Sequence, residues 1–320
     1  MPYYAGVDLG ATNIRAVVGD GDGEVLARSR RETPTGPTGI AVTEAILSAL
    51  REACETAGVG PDRLEAAGLC SFGPLDLQEG TVENPANLPE SVDRIPLTGP
   101  VGNLIGSDRV YLHNDTSAGV IGERFFSDRN PDDMIYLTLS SGIGAGVTVD
   151  GHVLQGWDGN AGEVGHMTVD PEGRMTCGCG RPGHWEAYCS GNNIPRYARH
   201  IHETQSVPTD LPLDAESFDA ADVFAAEATG DPLAVHTVER VAEWNAIGVA
   251  NICHAYAPLV IYVGGAVALN NPDRVLDPIR ERLEGRLLVN RPDVELTKLG
   301  DDVVVLGALA SAVTGGGTRR

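Results

Sequence analysis

The chain has 320 residues, 42% of them hydrophobic, enough for two modest domains or one large one with filled cores. Acidic residues number 45 against 23 basic, a formal net charge of −22, and Lys298 is the single lysine; a phosphate polymer would be repelled, which argues against a nucleic-acid binder. No run of about 18 apolar residues occurs, so no helical membrane span is expected.

Met1-Pro-Tyr-Tyr leads straight into an apolar strand without a basic leader, so a cytoplasmic protein is expected. The acidic excess suits either an ordinary acidic enzyme or, as the sharper expectation, a halophilic one. In a salty cytoplasm screening is short-ranged, and surface carboxylates hold water at little repulsive cost.

In chain order, residues 3–30 read as strands at 3–8, 14–20 and 24–30, with Gly-Asp-Gly-Asp-Gly as a turn. Ile40, Ala41, Ala45, Ile46, Leu47 and Leu50 carry helical spacing over 38–57. Strands follow at 64–72 and 109–115, and a helix over 116–125. The pattern then restarts with strands at 134–140, 145–150 and 151–156, and a glycine-rich region extends to 191. Helices are expected near 192–202, 219–229 and 232–257, a strand at 259–265, a helix near 273–287, strands near 294–306 and a last helix to about 313. Residues 203–217 read as an irregular surface excursion. Two successive blocks of three strands followed by helix, strand and helix predict an internal duplication, hence an α/β protein of two lobes with an interlobe cleft.

Two turns carry candidate phosphate chemistry. In Val-Asp-Leu-Gly-Ala-Thr-Asn-Ile-Arg, 7–15, Asp8 ends a buried strand near a metal, Gly10 permits a tight turn, and Thr12 and Asn13 offer donors. An ordinary hairpin explains the same residues. In Thr-Leu-Ser-Ser-Gly-Ile-Gly-Ala-Gly, 138–146, Ser141 and Gly142 repeat that arrangement after a second apolar strand. The strand at 261–265 ends in Gly264-Gly265, where a flat base could lie against bare backbone.

The order Asp8-Leu-Gly-Ala-Thr12, Ser141-Gly-Ile-Gly-Ala-Gly146, Gly264-Gly265 resembles the sugar kinase, actin and large heat-shock ATPase superfamily. More narrowly, residues 139–166 resemble the signature of the ROK family of sugar kinases and repressors, and the likeness runs from residue 4 to about 313. Many family members have Gly-Thr where this chain has Ser140-Ser141, and Ser141 keeps the hydroxyl. The resemblance implies two actin-like, ribonuclease H-like lobes: 1–115 as a small lobe completed by a helix in 305–320, and 116–304 as a large lobe with a zinc-binding loop.

It also implies ATP as phosphoryl donor, with Mg²⁺ bridged to Asp8, and a hexose as acceptor. Asp115 of Leu-His-Asn-Asp-Thr-Ser, 112–117, matches the family's general base; taken alone, a helix N-cap is the favoured reading. Asn114 would hold a neighbouring sugar hydroxyl, and Asn87, Glu163, His166 and Glu186 match the other sugar contacts. Glucose is the expected sugar, with fructose, mannose, allose or N-acetylmannosamine as alternatives, and ADP or polyphosphate as alternative donors. A homodimer is expected as well. A sugar-responsive repressor is the rival from the same family; those proteins carry a helix-turn-helix ahead of the kinase-like body, whereas the first strand here is expected at residue 3. A binding module without catalysis is a third reading.

Thr176-Cys-Gly-Cys-Gly-Arg-Pro-Gly-His-Trp-Glu186 could be a redox pair, a metal site or a tight loop. Cysteines one residue apart are poorly placed to bridge each other, but two thiolates on a glycine-rich turn can reach one soft cation. The family pattern, a histidine followed by C-x-C-G-x-x-G-C-x-E, implies a structural zinc. Here His184 stands at the third cysteine's position, giving His166, Cys177, Cys179 and His184 as ligands, with Cys189 as the alternative fourth.

Overall fold

A computed structural model describes residues 2–85, 88, 89, 91–127, 129, 131–157 and 159–317. The chain divides into two compact units, the first made of residues 1–132, 146–161 and 301–320, the second of 133–145 and 162–300.

The first unit is built on strands β1 (Tyr3–Leu9), β2 (Asn13–Asp20), β3 (Val25–Glu32), β4 (Leu64–Ser71) and, after two short strands and a short third, β8 (Val110–Asn114). Their order is β3-β2-β1-β4-β8; the first three form an antiparallel meander, and β4 and β8 continue parallel to β1. Alternation along β1 decides the faces. Ala5, Val7 and Leu9 join the buried cluster with Val42, Ile46 and Leu50 of helix α1 (Gly39–Ala57) and Val101 and Ile105 of α2 (Thr98–Ile105). The other face carries α3 (Asp115–Phe126) and the last helix, α10 (Val303–Thr314). There Gly6 and Gly68 let α10 lie directly on the sheet: a Cβ on Gly6 would come 2.5 Å from Leu309 N, and one on Gly68 1.9 Å from Ala308 O.

Two sequence expectations change here. Val303-Val-Val-Leu306 was expected within a strand and forms the first turn of α10. β-branched residues favour strands by propensity, but burial against β1, β4 and α3 outweighs a few tenths of a kcal/mol per residue. Helix α3 was assigned to the second lobe and belongs to the first unit, because it packs on α10 so closely that a Cβ on Gly122 would lie 3.0 Å from Gly307. The small antiparallel sheet β5 (Leu75–Asp76), β6 (Thr81–Glu83) and β7 (Arg94–Pro96) is an addition to the expected elements. So is α2, whose Thr-Gly-Pro-Val-Gly-Asn opening hides helical spacing.

A second sheet has the order β11-β10-β9-β12-β13, with β9 (Met134–Leu139), β10 (Ile143–Val149), β11 (His152–Val153), β12 (Val260–Gly264) and β13 (Asp293–Leu296). β10 and β11 are antiparallel; β12 is parallel to both β9 and β13. In order and, for these pairs, in direction, this repeats the first sheet, as the expected duplication requires. In the second unit the short α4 (Glu186–Cys189) and α8 (Ala266–Asn270) join the larger α5 (Ile194–Gln205), α6 (Ala220–Ala228), α7 (Pro232–Tyr256) and α9 (Pro272–Leu283). The 25-residue α7 is the hub, packed against α4, α5, α6 and α9. The irregular segment expected at 203–217 begins later, since residues 203–205 end α5; residues 206–218 hold no helix or strand.

Candidate active site

Ligands of open α/β sheets gather at the carboxyl ends of the parallel strands. In the first unit, Leu9 of β1 pairs with Ser71 of β4, and Ser71 with Asn114 of β8, so three strand ends share one edge. Asn114 caps α3, its Oδ1 accepting from Ser117 N at 2.7 Å. Asp115 is therefore the first helical residue rather than the cap; it is exposed, and its Oδ1 accepts from Thr116 N at 2.8 Å. The local cause is the Asn-Asp-Thr-Ser sequence, which offers side-chain acceptors to the unpaired N–H groups of the first turn.

Asp8 points to the α10 face of the same sheet. Its Oδ2 accepts from Arg15 Nε at 2.8 Å and Nη2 at 2.6 Å, and its Oδ1 lies 3.8 Å from the Cys70 thiol. Burial pushes the Asp8 carboxyl above the usual carboxylate range, and Arg15 pulls against that shift. Sequence reasoning placed Asp8 at a metal and missed Arg15, the residue that holds it. In the β1–β2 turn, Gly10 N donates to Asn13 O at 2.9 Å, Thr12 is exposed, and Asn13 Oδ1 accepts from Arg30 Nε at 3.0 Å.

The equivalent turn of the second unit, Ser140–Gly142, is the tighter one. Ser140 N donates to Gly142 O at 2.9 Å, Gly191 N to Ser140 O at 2.7 Å, and Ile143 N to Glu186 Oε2 at 2.9 Å. Beside it lies a cavity of about 520 Å³ lined by residues that include Ser140, Ser141, Gly191 and Asn192, within the range of small-ligand pockets. Its remaining wall, with Asp219 and Phe224 at and within α6 and Asn270 and Asn271 at the end of α8, carries no sequence motif and escaped the sequence reading. Gly264 and Gly265 do not line it; Ala266 and Val267 do. The two glycines serve the strand instead: a Cβ on Gly264 would sit 2.5 Å from Tyr136 Oη, and one on Gly265, where φ is +87°, 2.5 Å from Leu139 O.

The polar set of 159–166 is held on β10 by two more glycines. A Cβ on Gly162 would meet Ala145 O at 1.9 Å, and one on Gly165 would meet Ile143 O at 2.3 Å. This close approach carries Glu163 and His166, whose Oε2 and Nε2 are 3.8 Å apart. Burial and the neighbouring Glu186 push the Glu163 carboxyl up, and His166 opposes them. Asn114 and Asp115 belong to the first unit; Glu163, His166 and Glu186 belong to the second. Asn87 lies outside the described residues.

Behind Glu163 and His166, the candidate ligand atoms of His166, Cys177, Cys179 and His184 all lie within 4.8 Å of one another. Cys177 Sγ is 3.7 Å from His166 Nδ1, and Cys179 Sγ is 3.3 Å from His184 Nδ1. A tetrahedral zinc with ordinary bond lengths would separate its sulfur and nitrogen ligands by about 3.6 Å, so the cluster fits such an ion. His166 has Nδ1 on the side of Cys177 and Nε2 on the side of Glu163. Burial raises the Cys177 thiol to about 11 and holds His184 below its usual value. Cys189 is excluded from the group: it is fully buried, with Sγ 3.5 Å from Val241 O of α7.

The loop is anchored on both sides. Trp185 lies over Gly248 of α7, where a Cβ would come 2.3 Å from the indole, and its Nε1 donates to Asn245 Oδ1 at 2.8 Å. Tyr188 Oη donates to Asp170 Oδ2 at 2.6 Å and accepts from Met175 N at 2.9 Å.

A model of the ROK family matches residues 4–314. A glucokinase from Pyrobaculum calidifontis is 37% identical over 312 residues, covering 98% of this chain and 95% of its own. A ROK hexokinase from Thermus thermophilus superposes with a TM-score of 0.82 at 34% identity, covering 98% of each chain. A ROK family glucokinase from Streptomyces griseus, solved with glucose and AMPPNP, gives 0.74 at 31% identity and covers 98% of this chain and 99% of that one.

Proposed function

The chain belongs to the ROK family, and we propose that within it the chain is a glucokinase that transfers the γ-phosphoryl group of ATP to glucose, with Asp115 as general base. The observation that carries this reading is a full-length match to glucokinases combined with the repeated turn at two equivalent strand ends, 10–13 and 140–142. Phosphoryl transfer asks for little covalent work from the protein and much positioning, so turns that present backbone N–H groups suit it.

Asp115, exposed at the N-terminus of α3, accepts the proton of the attacking hydroxyl as the sugar oxygen bonds to the γ-phosphorus and ADP leaves. Asn87, Asn114, Glu163, His166 and Glu186 are the sugar contacts in this reading, and Glu163 and His166 supply an acceptor and a ring nitrogen side by side. Ser141 and Gly142 hold phosphate, and the adjoining cavity takes the nucleoside. Gly10, Thr12 and Asn13 form the matching turn, and Gly264 and Gly265 lead into Ala266 and Val267, which line the cavity. Mg²⁺, when bound, neutralises phosphate charge; it takes one or two carboxylates together with substrate phosphates, a demand that Asp8 Oδ1 suits because Oδ2 holds both Arg15 contacts. Zinc on His166, Cys177, Cys179 and His184 is structural in this reading, since four protein ligands leave no position for water.

The same reading carries a cytoplasmic homodimer; among the described residues, no helix is long and apolar enough to cross a membrane. The test is a coupled ADP-release assay at high salt across glucose, fructose, mannose, allose and N-acetylmannosamine. Glucose should give the highest kcat/KM. No ADP release with any hexose would refute the kinase reading, and a preference for another sugar would move the specificity only.

A further inference from the structure

Glu186 sits between two features that the kinase reading treats separately, the cysteine loop and the phosphate-binding turn. The geometry points to Glu186 as a positioning residue for that turn: it sets the nucleotide affinity of the chain in addition to any contact with sugar. The inference rests on the kinase reading and deepens it.

Hydrogen-bond accounting over the turn supports this role. Ser140 N is used by Gly142 O, Ser140 O by Gly191 N, and Ser141 O by Asn192 N at 3.4 Å. Ile143 N is used by Glu186 Oε2 at 2.9 Å. The amide donors left at the tip are Ser141 N–H and Gly142 N–H, for which no acceptor is present among the described residues. Those two donors, with the Ser141 hydroxyl, are the groups a phosphate would meet. Every other bond on the turn fixes the direction in which they point.

Of those bonds, the one to Glu186 is the only charge-assisted one, and such bonds are the strong class. It is also sterically committed. A Cβ at position 142 would lie 2.8 Å from Glu186 Oε2, so the carboxylate reaches Ile143 N because residue 142 is glycine. Cys177 Sγ lies 3.6 Å from the other oxygen, Oε1, so Glu186 also borders the cysteine loop. Glu186 itself begins α4, directly after the anchored Trp185. A side chain that leaves this anchored helix start and ends on Ile143 N transmits the position of the cysteine loop to the turn.

A carboxylate beside a phosphate site is repulsive by charge alone. That gives the inference opposite signs for two substitutions. Glu186→Ala removes the acceptor and lets Ile143 N–H and the tip reorient. Glu186→Gln keeps an acceptor oxygen of the same reach and removes the repulsion.

The experiment is calorimetric titration of a non-hydrolysable ATP analogue with Mg²⁺ into the full-length, sugar-free chain, with glucose titrated in parallel and near-ultraviolet circular dichroism as the fold control. Glu186→Ala should raise the nucleotide Kd about tenfold, and Glu186→Gln should stay within about twofold of wild type or bind more tightly. If both variants leave nucleotide binding unchanged while glucose binding falls, Glu186 is a sugar contact only and the inference fails. If both weaken nucleotide binding alike, the acceptor geometry is irrelevant and the inference again fails. A wild-type chain that binds no nucleotide would remove the kinase reading, and the inference with it.

Discussion

Replacing Asp115 by Asn removes the proton acceptor while leaving most of its surroundings in place. Its Oδ1 accepts from the adjacent Thr116 N–H at 2.8 Å, and an amide oxygen can accept the same bond. Losing a negative charge from the first turn of α3 costs about 0.3–1 kcal/mol. A positioned general base contributes about 10²–10⁴ in rate, which is about 3–5 kcal/mol of barrier. The two effects are thus separable. Stopped coupled assays at saturating glucose and ATP should show kcat reduced at least about 100-fold, with the glucose Kd near wild type and the melting temperature little changed. Retention of a tenth of the wild-type kcat would refute the base assignment. Parallel loss of glucose affinity and rate would instead make Asp115 a binding group.

Purified protein should contain about one zinc per chain by elemental analysis, and Cys177→Ser should reduce it, because the thiolate is one of four convergent ligands; equal zinc in both would place the metal elsewhere. His113 is fully buried, its Nε2 2.7 Å from Ser311 Oγ, and burial lowers its pKa from 6.5 to about 4. A lowered histidine stabilises the fold above its unfolded pKa and loses that contribution as pH falls from 6.5 towards 4, by about 3 kcal/mol in all. Urea unfolding at pH 7 and 4.5 should therefore show a smaller pH effect in His113→Gln than in wild type; equal slopes would refute it. With 45 acidic against 23 basic residues, the melting temperature should rise between about 0.1 M and 2 M KCl, and a fall would contradict the halophilic reading.

The sequence carried the frame of both sheets because it alternates where one face is buried and runs apolar where both are. β1, β4, β9 and β12 were readable on that basis, and so was the duplication. Val303–Leu306 was not, since a short β-branched run has no period that separates a strand from the first turn of a buried helix. Among the proposed site residues, the 140–142 turn and the Cys/His cluster were legible once their spacing was set against the family pattern, and Asp115 only through that resemblance. Asp219, Asn270 and Asn271 were not, because they reach the cavity beside that turn from elements far away in sequence; Arg15 lies opposite Asp8 in the β1–β2 ladder, and no motif marks it. Gly264 and Gly265 were noticed for a different reason from the one the structure supplies: their missing Cβ atoms make room for Tyr136 and Leu139 on the neighbouring strand.

The same distinction explains the cysteine loop. Three nearly consecutive side chains leave it for three destinations: Trp185 to α7, Glu186 to the 140–142 turn, and Tyr188 to Asp170 and Met175. These contacts fix the C-terminal side of the loop through buried aromatic packing and charge-assisted bonds, independent of any ion. The stretch from Cys177 to Arg181 has much less of its own: it closes on itself through Cys177 N to Arg181 O at 2.9 Å and Gly180 N to Cys177 O at 2.9 Å, around two glycines. A cation held by His166, Cys177, Cys179 and His184 would therefore do its ordering on that short stretch and, through the His166 ring, on the Nε2 that faces Glu163. In the proposed reading the metal ligand and the sugar contact would be two nitrogens of one imidazole, so the orientation that satisfies the first would fix the second.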